Sequence, residues 1–341
     1  MSSLTLFGAG SWGTALSVHL ASTGRDVTLW ARRQELVDAI RETSRNPEYL
    51  PNLIFPSTVT VTSDLEVAAK ASDTWAIAVP AQNVRERATS LRQYVHDDLR
   101  VVALAKGIEN ETLMTMSQVL RDVYDCLPAG QVGVLYGPSH AEEVGEGRPT
   151  SLVAATSDSD EAERIQRLFM TERLRVYMNT DVVGVEIGGA AKNVLAIAAG
   201  IGDGVGYGDN AKAALITRGL AEIRRLGRAL GAEPKTFAGL SGIGDLVVTC
   251  TSRYSRNRYL GEQIGRGRSL QEVLDEMVMV AEGVWTIRSV RELAQRHDVE
   301  MPITEAVYAV LFEECDPGTM VRRLMTRSAK SENWLPQEFT S

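Results

Sequence analysis

The sequence predicts an α/β chain in two parts: a doubly wound, mainly parallel sheet followed by an all-helical domain. Three observations predict it. Short apolar runs alternate with amphipathic stretches over the first half of the chain. A glycine motif stands where the first run meets the first amphipathic stretch. Beyond Thr180 the apolar runs stop and only helical patterns continue.

The elements follow in order. Leu4–Phe7 reads as a strand entering Gly8, with a helix over Trp12–Ser22. Val27–Trp30 is the second strand and Gln34–Thr43 the second helix. A proline-marked loop from Pro47 to Pro56 leads to the short strand Val59–Val61, and Asp64 caps a helix towards Ala71. Trp75–Val79, Val101–Ala105, Val132–Leu135, Leu152–Ala155 and Leu174–Tyr177 complete the strands. Helices around Val84–Gln93, Leu113–Tyr124 and Ser159–Met170 lie between them.

Asp181–Ala199 then reads as a long helix rich in Gly and Ala. Ala211–Leu230 is another, ended by Gly231. Shorter helices fit Arg258–Ile264, Leu270–Met277, Val284–Gln295 and Thr304–Phe312, with Ser269 and Thr304 as candidate caps; only Ser269 has the acidic partner of a capping box, Glu272. The expected division is residues 1–180, residues 181–330, and a polar tail over 331–341.

Composition narrows the function classes. With 36 Lys+Arg and 44 Asp+Glu the formal charge is −8, which argues against bulk nucleic-acid binding. Cys126, Cys250 and Cys315 lie far apart, which rules out a disulfide framework and fits a reducing cytosol. The histidines, His19, His96, His140 and His297, show no metal-ligand spacing, so no metal is expected. No apolar run reaches the length of a membrane helix, and Met1–Leu4 has no basic region of a signal peptide.

The chemistry begins at Gly8-Ala9-Gly10-Ser11-Trp12-Gly13, a GxGxxG motif between a strand and a helix. Gly8 suits the tight turn, Gly10 lets backbone approach a pyrophosphate, and Gly13 lets the helix pack on the sheet. Free N–H groups at the helix start then face phosphate charge. The first domain is therefore of Rossmann type. After the second strand comes Ala31-Arg32-Arg33, with no acid until Glu35. Two guanidinium groups there suit a 2′-phosphate, which favours NADPH while leaving NADH open.

A second group of residues reads as a substrate site. Lys106 follows a buried strand at the carboxyl edge of the sheet, where ligands bind in such folds. Gly137-Pro138-Ser139-His140-Ala141-Glu142 has capping-box spacing between Ser139 and Glu142. His140 is a poor acid, since a helix start lowers its pKa. Lys192 lies among Gly188, Gly189, Ala190 and Ala191; such surroundings strip its hydration and lower its pKa towards neutrality, as a proton donor requires. A solvent-reaching lysine with an apolar stem fits the same pattern. Gly188 and Gly189 in a helix imply that something approaches closely. Asp245, in a glycine-rich turn, can pair with a lysine, and Ser255-Arg256-Asn257 opens a helix with groups suited to a phosphate monoester.

Together these blocks closely resemble the bacterial NAD(P)-dependent glycerol-3-phosphate dehydrogenase family. The matching segments are Gly8–Ala15, Leu29–Arg33, Lys106-Gly107-Ile108, Gly137-Pro138-Ser139, Ala190–Asn193, Gly208-Asp209-Asn210 through Thr217-Arg218-Gly219, Gly244-Asp245-Leu246, Ser255-Arg256-Asn257 and Ala281-Glu282-Gly283. The resemblance implies reduction of dihydroxyacetone phosphate to sn-glycerol 3-phosphate for phospholipid synthesis, in the cytoplasm, by a homodimer. It implies Lys192 as the acid/base, supported by Lys106 and Asp245. Lys106, Gly137, Ser139, Lys192, Asp245, Ser255, Arg256 and Asn257 would contact substrate. Gly8, Gly10, Ser11, Trp12, Gly13, Arg32, Arg33, Lys106, Ala141, Arg256, Val280 and Glu282 would contact cofactor. A 6-phosphogluconate-type dehydrogenase shares the glycine loop and a helical-domain lysine, but Ser255-Arg256-Asn257 and Gly244-Asp245 argue against it. The lysines and Asp245 likewise argue against a binding protein without catalysis.

Overall fold

A computed structural model describes residues 3–277, 279 and 281–328. The first part runs β1 (Ser3–Phe7), α1 (Ser11–Ala21), β2 (Asp26–Trp30), α2 (Gln34–Thr43), β3 (Val59–Thr62), α3 (Leu65–Lys70), β4 (Thr74–Ile77), α4 (Val84–Leu91), β5 (Arg100–Ala103), α5 (Met116–Val123), β6 (Val132–Tyr136), α6 (Ala141–Gly145), β7 (Thr150–Ala155), α7 (Ser159–Phe169) and β8 (Leu174–Asn179). The strands form one eight-stranded sheet in the order β3-β2-β1-β4-β5-β6-β7-β8. Every pairing is parallel except β6 with β7, so the last two strands oppose the rest. The order reverses between β1 and β4, and the carboxyl edge at such a switch point opens a crevice for ligands.

Local chemistry accounts for the element boundaries. The carboxylate of Asp64 accepts from Glu66 N–H and Val67 N–H to start α3, and Asp158 does the same for α7. Thr115 and Gln118 make a capping box at α5. Ser139 and Glu142 do not: α6 begins after His140, and the Ser139 hydroxyl turns to the Gly137 carbonyl at 3.0 Å instead. Apolar residues of the strands are buried on both faces of the sheet, which divides the first core into two clusters.

The second part is helical: α8 (Val182–Val205), α9 (Asp209–Ala229), α10 (Asp245–Thr251), α11 (Arg256–Gly265), α12 (Leu270–Glu276), α13 (Gly283–Arg296), α14 (Pro302–Phe312) and α15 (Pro317–Met325). By length and composition α8 could cross a membrane, with mean hydropathy 1.5, but 83% of that stretch is buried inside the fold. It is the central helix of this part, packed by α9, α10, α11 and α13. Its core carries Ile187, Val194, Leu195 and Ile197.

Besides the Ser139 and Glu142 spacing, three features depart from the sequence expectation. Asp245 opens α10 after a π-helical turn over Leu240–Gly244, where the glycines suggested a loop. One of those glycines serves packing: a Cβ on Gly242 would lie 2.2 Å from the Phe237 carbonyl oxygen. Thr304 is no cap, because Pro302 starts α14 earlier and Thr304 donates to Glu222 of α9. Helix α15 was not anticipated; Asp316 caps it through Thr319 N–H at 2.7 Å. The tail at 331–341 and Val280 lie outside the described residues.

Candidate active site

A cleft of about 460 Å³ runs along the carboxyl edge of the sheet and continues between the two parts of the chain. One wall is the turn after β1. Gly8 has φ +126°, and a Cβ there would lie 2.6 Å from the Ala78 carbonyl oxygen. A Cβ on Gly13 would lie 1.8 Å from the Gly8 carbonyl oxygen, so α1 packs on the turn only with glycine there. Gly10 differs: a Cβ on it would meet no protein atom within 4 Å, and it lines the cleft. The open side of Gly10 leaves room for a ligand against backbone. Helix α1 has no side-chain cap and no acidic residue in its first turn, so its N–H groups and dipole face the same space. These features fit a dinucleotide pyrophosphate.

Trp12, Arg32, Arg33, Ala141 and Glu282 also line the cleft. Ser11 does too, and its hydroxyl donates to the Met279 sulfur at 3.0 Å, which ties the glycine turn to the helical part. Arg33 pairs with Glu48. Glu282 accepts from Ala81 N–H through one oxygen at 3.3 Å. Its other oxygen is buried without a partner, and burial pushes its pKa up. An orphaned buried acceptor of this kind suits a ligand donor.

Deeper in, three charged side chains from distant parts of the sequence meet. Lys106 Nζ lies 2.8 Å from one oxygen of Asp245, and it donates to the Gly137 carbonyl at 2.6 Å. Ser139 Oγ is 3.4 Å from the same ammonium. Lys192 Nζ pairs with the other Asp245 oxygen and donates to Thr249 Oγ1 at 2.8 Å. Asp245 is 1% exposed and Lys192 6%. Burial strips the Lys192 ammonium of water and brings its pKa down to about 8; Asp245 opposes that fall, and Lys106 adds to it. Burial also works against ionisation of Asp245, yet the two ammonium groups outweigh it and keep its pKa below the usual range.

Close packing puts these groups in place. A Cβ on Gly188 would lie 2.5 Å from the Ser241 carbonyl oxygen, and one on Gly189 would lie 2.7 Å from the Tyr136 ring. The close approach implied by the paired glycines is therefore made by the turn before α10 and by β6. Glu186, six residues before Lys192 on α8, accepts from Ser117 N–H at 2.8 Å and from the Thr115 and Ser117 hydroxyls. That carboxylate fastens α8 to the start of α5 and so fixes the rotation that aims Lys192.

At the far end of the cleft, Ser255 caps α11 by accepting from Arg258 N–H at 3.2 Å. Arg256 is exposed and lines the cleft. The Asn257 amide is engaged in packing: it donates to Asn193 Oδ1 at 3.0 Å and accepts from Gly283 N–H at 2.9 Å. What Asn257 offers a ligand is thus its backbone N–H in the first turn of the helix. His140 is neutral at pH 7, because burial, then Lys192 and Lys106, bring its pKa down to about 4. Sequence reasoning passed over Thr249 and Glu186. Only Thr249 left a signal, four residues after Asp245 and thus on one helix face.

Comparison with known proteins agrees with this arrangement. Residues 3–162 match the model of the NAD-dependent glycerol-3-phosphate dehydrogenase N-terminus, and residues 181–322 that of its C-terminus. A glycerol-3-phosphate dehydrogenase [NAD(P)+] of Salinibacter ruber is 72% identical, with 98% of both chains covered. One from Chlorobium phaeobacteroides is 52% identical over 96% of this chain and 98% of its own. The crystal structure of glycerol-3-phosphate dehydrogenase from Coxiella burnetii superposes with a TM-score of 0.91 at 37% identity, covering 96% of this chain and 99% of that one.

Proposed function

The chain belongs to the NAD-dependent glycerol-3-phosphate dehydrogenase family, and we propose that it reversibly reduces dihydroxyacetone phosphate to sn-glycerol 3-phosphate, supplying phospholipid synthesis. The observation that carries this reading is the pairing of Lys106 and Lys192 with the buried Asp245, in a cleft between a dinucleotide turn and a phosphate-suited helix start. We assign residues 1–180 to cofactor binding and 181–330 to substrate binding and catalysis. Lys106 and Arg256 serve both ligands.

Bound NADPH or NADH supplies the hydride for C2 of the substrate. Arg256 and the backbone N–H groups at the start of α11 hold the phosphate, which fixes the distant carbonyl in place. As C2 gains its new bond, the carbonyl electron pair moves onto oxygen. Lys192, protonated below about pH 8, gives that oxygen its proton, and in the reverse direction the neutral amine takes the proton back. Lys106, held by Asp245, the Gly137 carbonyl and Ser139, adds positive charge where the alkoxide develops. Asp245 keeps two ammonium groups together in a site that would otherwise separate or neutralise them.

NADPH is the favoured cofactor, supported by the exposed guanidinium of Arg32 at the end of β2 and the absence of an acid there. The protein acts in the cytoplasm as a homodimer, which light scattering checks directly. Steady-state assays with dihydroxyacetone phosphate and each reduced cofactor test the whole reading. Turnover with both, faster at low concentration with NADPH, is expected. No turnover with either overturns it.

A further inference from the structure

Arg32 and Arg33 read alike in the sequence, but the fold separates their roles. Arg33 is engaged with Glu48. Arg32 lines the cleft, and among the described residues it has no acidic partner within ion-pair distance. A third guanidinium, from a part of the chain with no motif, stands at the same end of the cleft. Arg87 of α4 places its guanidinium carbon 4.1 Å from the centre of the Trp30 ring, at the end of β2.

That stack is backed by buried contacts. Trp30 is 5% exposed, and its indole N–H donates to the Ser63 carbonyl at 3.0 Å. Phe7, Trp75 and Tyr124 continue the aromatic packing behind it. One terminal nitrogen of Arg87 donates to Ser90 Oγ at 3.0 Å. Its Nε is buried and unpartnered, as is the hydroxyl of Tyr124 beneath it. No carboxylate lies within ion-pair distance of Arg87 among the described residues. Burial pulls its pKa down; Glu86 opposes the fall and Arg32 adds to it. Glu86 lines the same cleft but among the described residues forms an ion pair with neither guanidinium; the two guanidinium groups repel each other there, and an anion between them relieves that repulsion. Stacking on an indole holds one face of a guanidinium and leaves its edge to bind oxygen.

We propose that Arg87 acts with Arg32 to bind the 2′-phosphate of NADPH, and is therefore a specificity-determining residue. Arg33 acts indirectly, holding the turn after β2 to Glu48. This rests on the NADPH reading given above, and the test separates the two. Calorimetry on the full-length protein measures binding of adenosine 2′,5′-bisphosphate and of 5′-AMP, which differ only in the 2′-phosphate. The wild-type protein should prefer the bisphosphate by roughly tenfold or more, as expected of charge-assisted contacts.

Arg87→Gln should lower that preference by about tenfold. Arg87→Lys, which keeps the charge but loses the planar fork, should fall between, and it serves if the glutamine variant folds poorly. Arg33→Gln should change the preference less than either. A wild-type protein that does not distinguish the two nucleotides overturns the NADPH reading and this assignment with it. A preference that survives in both Arg87 variants but collapses in Arg32→Gln overturns the assignment of Arg87 alone.

Discussion

Replacing Asp245 with Asn removes the one negative charge between two ammonium groups, and the consequence can be worked from the site. Asp245 raises the pKa of Lys192 by attraction, against the desolvation that brings it to about 8. An opposite charge in direct contact moves a pKa by about 1–3 units, so Asp245→Asn should take Lys192 to about 5–7. Its ammonium form is then reduced at pH 7 from about nine-tenths of the protein to about one-tenth for a shift of 2 units. Reduction needs that ammonium, so kcat/KM for dihydroxyacetone phosphate at pH 7 should fall by about tenfold from protonation alone. The assay is the pH profile of kcat/KM in both directions. For reduction, the decline with rising pH should move from near pH 8 to lower pH by about 1–3 units. For oxidation, which needs the neutral amine, the rise should move the same way. A variant that loses activity at all pH values but keeps its limb near pH 8 would refute Lys192 as the titrating group, or Asp245 as the group that sets it.

Other outcomes follow from the packing and the charges. Gly13→Ala drives a Cβ into the Gly8 carbonyl and should sharply lower the melting temperature. Gly10→Ala, with open space around its new methyl, should melt normally and raise KM for the cofactor. Arg256→Ala should raise KM for dihydroxyacetone phosphate by about 10–100-fold, the worth of a charge-assisted contact, with little change for unphosphorylated dihydroxyacetone. Glu222, buried at the start of α14 and hydrogen-bonded to Ile303 N–H at 2.7 Å, has its pKa pushed up to about 7 by burial. Below its unfolded value both states hold the proton. Between that value and 7 only the folded state does, so stability falls as pH rises through this window. Glu222→Gln should flatten that dependence, which amounts to roughly 3 kcal/mol, in urea unfolding from pH 4 to pH 8.

The legible features were those whose chemistry is local. The strand alternation and the glycine turn each depend on neighbours within a few residues, and the structure forms the sheet and the turn there. Lys192 carried its signal in the small apolar residues beside it on α8. What stayed hidden was tertiary. Asp245 was expected to pair with a lysine, but that it bridges both Lys106 and Lys192, across 139 and 53 residues, is encoded by no spacing. Helix α10 was concealed because Gly239, Gly242 and Gly244 lower helix propensity, whereas the absent side chain of Gly242 lets the turn close on the Phe237 backbone and that of Gly188 lets α8 approach Ser241. The Asn257 amide looked available and is used in packing α11 against α8 and α13. Arg87 sits in a charged helix segment that reads as ordinary surface, and only its stack on Trp30 marks it out.

Lys192 is the residue on which the proton transfer depends most directly. Purified wild-type protein and Lys192→Ala should be supplied with NADPH and dihydroxyacetone phosphate, with product measured as sn-glycerol 3-phosphate and cofactor binding measured separately by fluorescence. The wild-type protein should form that product. The variant should bind NADPH as before and lose about 100–10,000-fold in kcat, the span expected of a lost general acid. Normal cofactor binding with full turnover in Lys192→Ala would contradict the account.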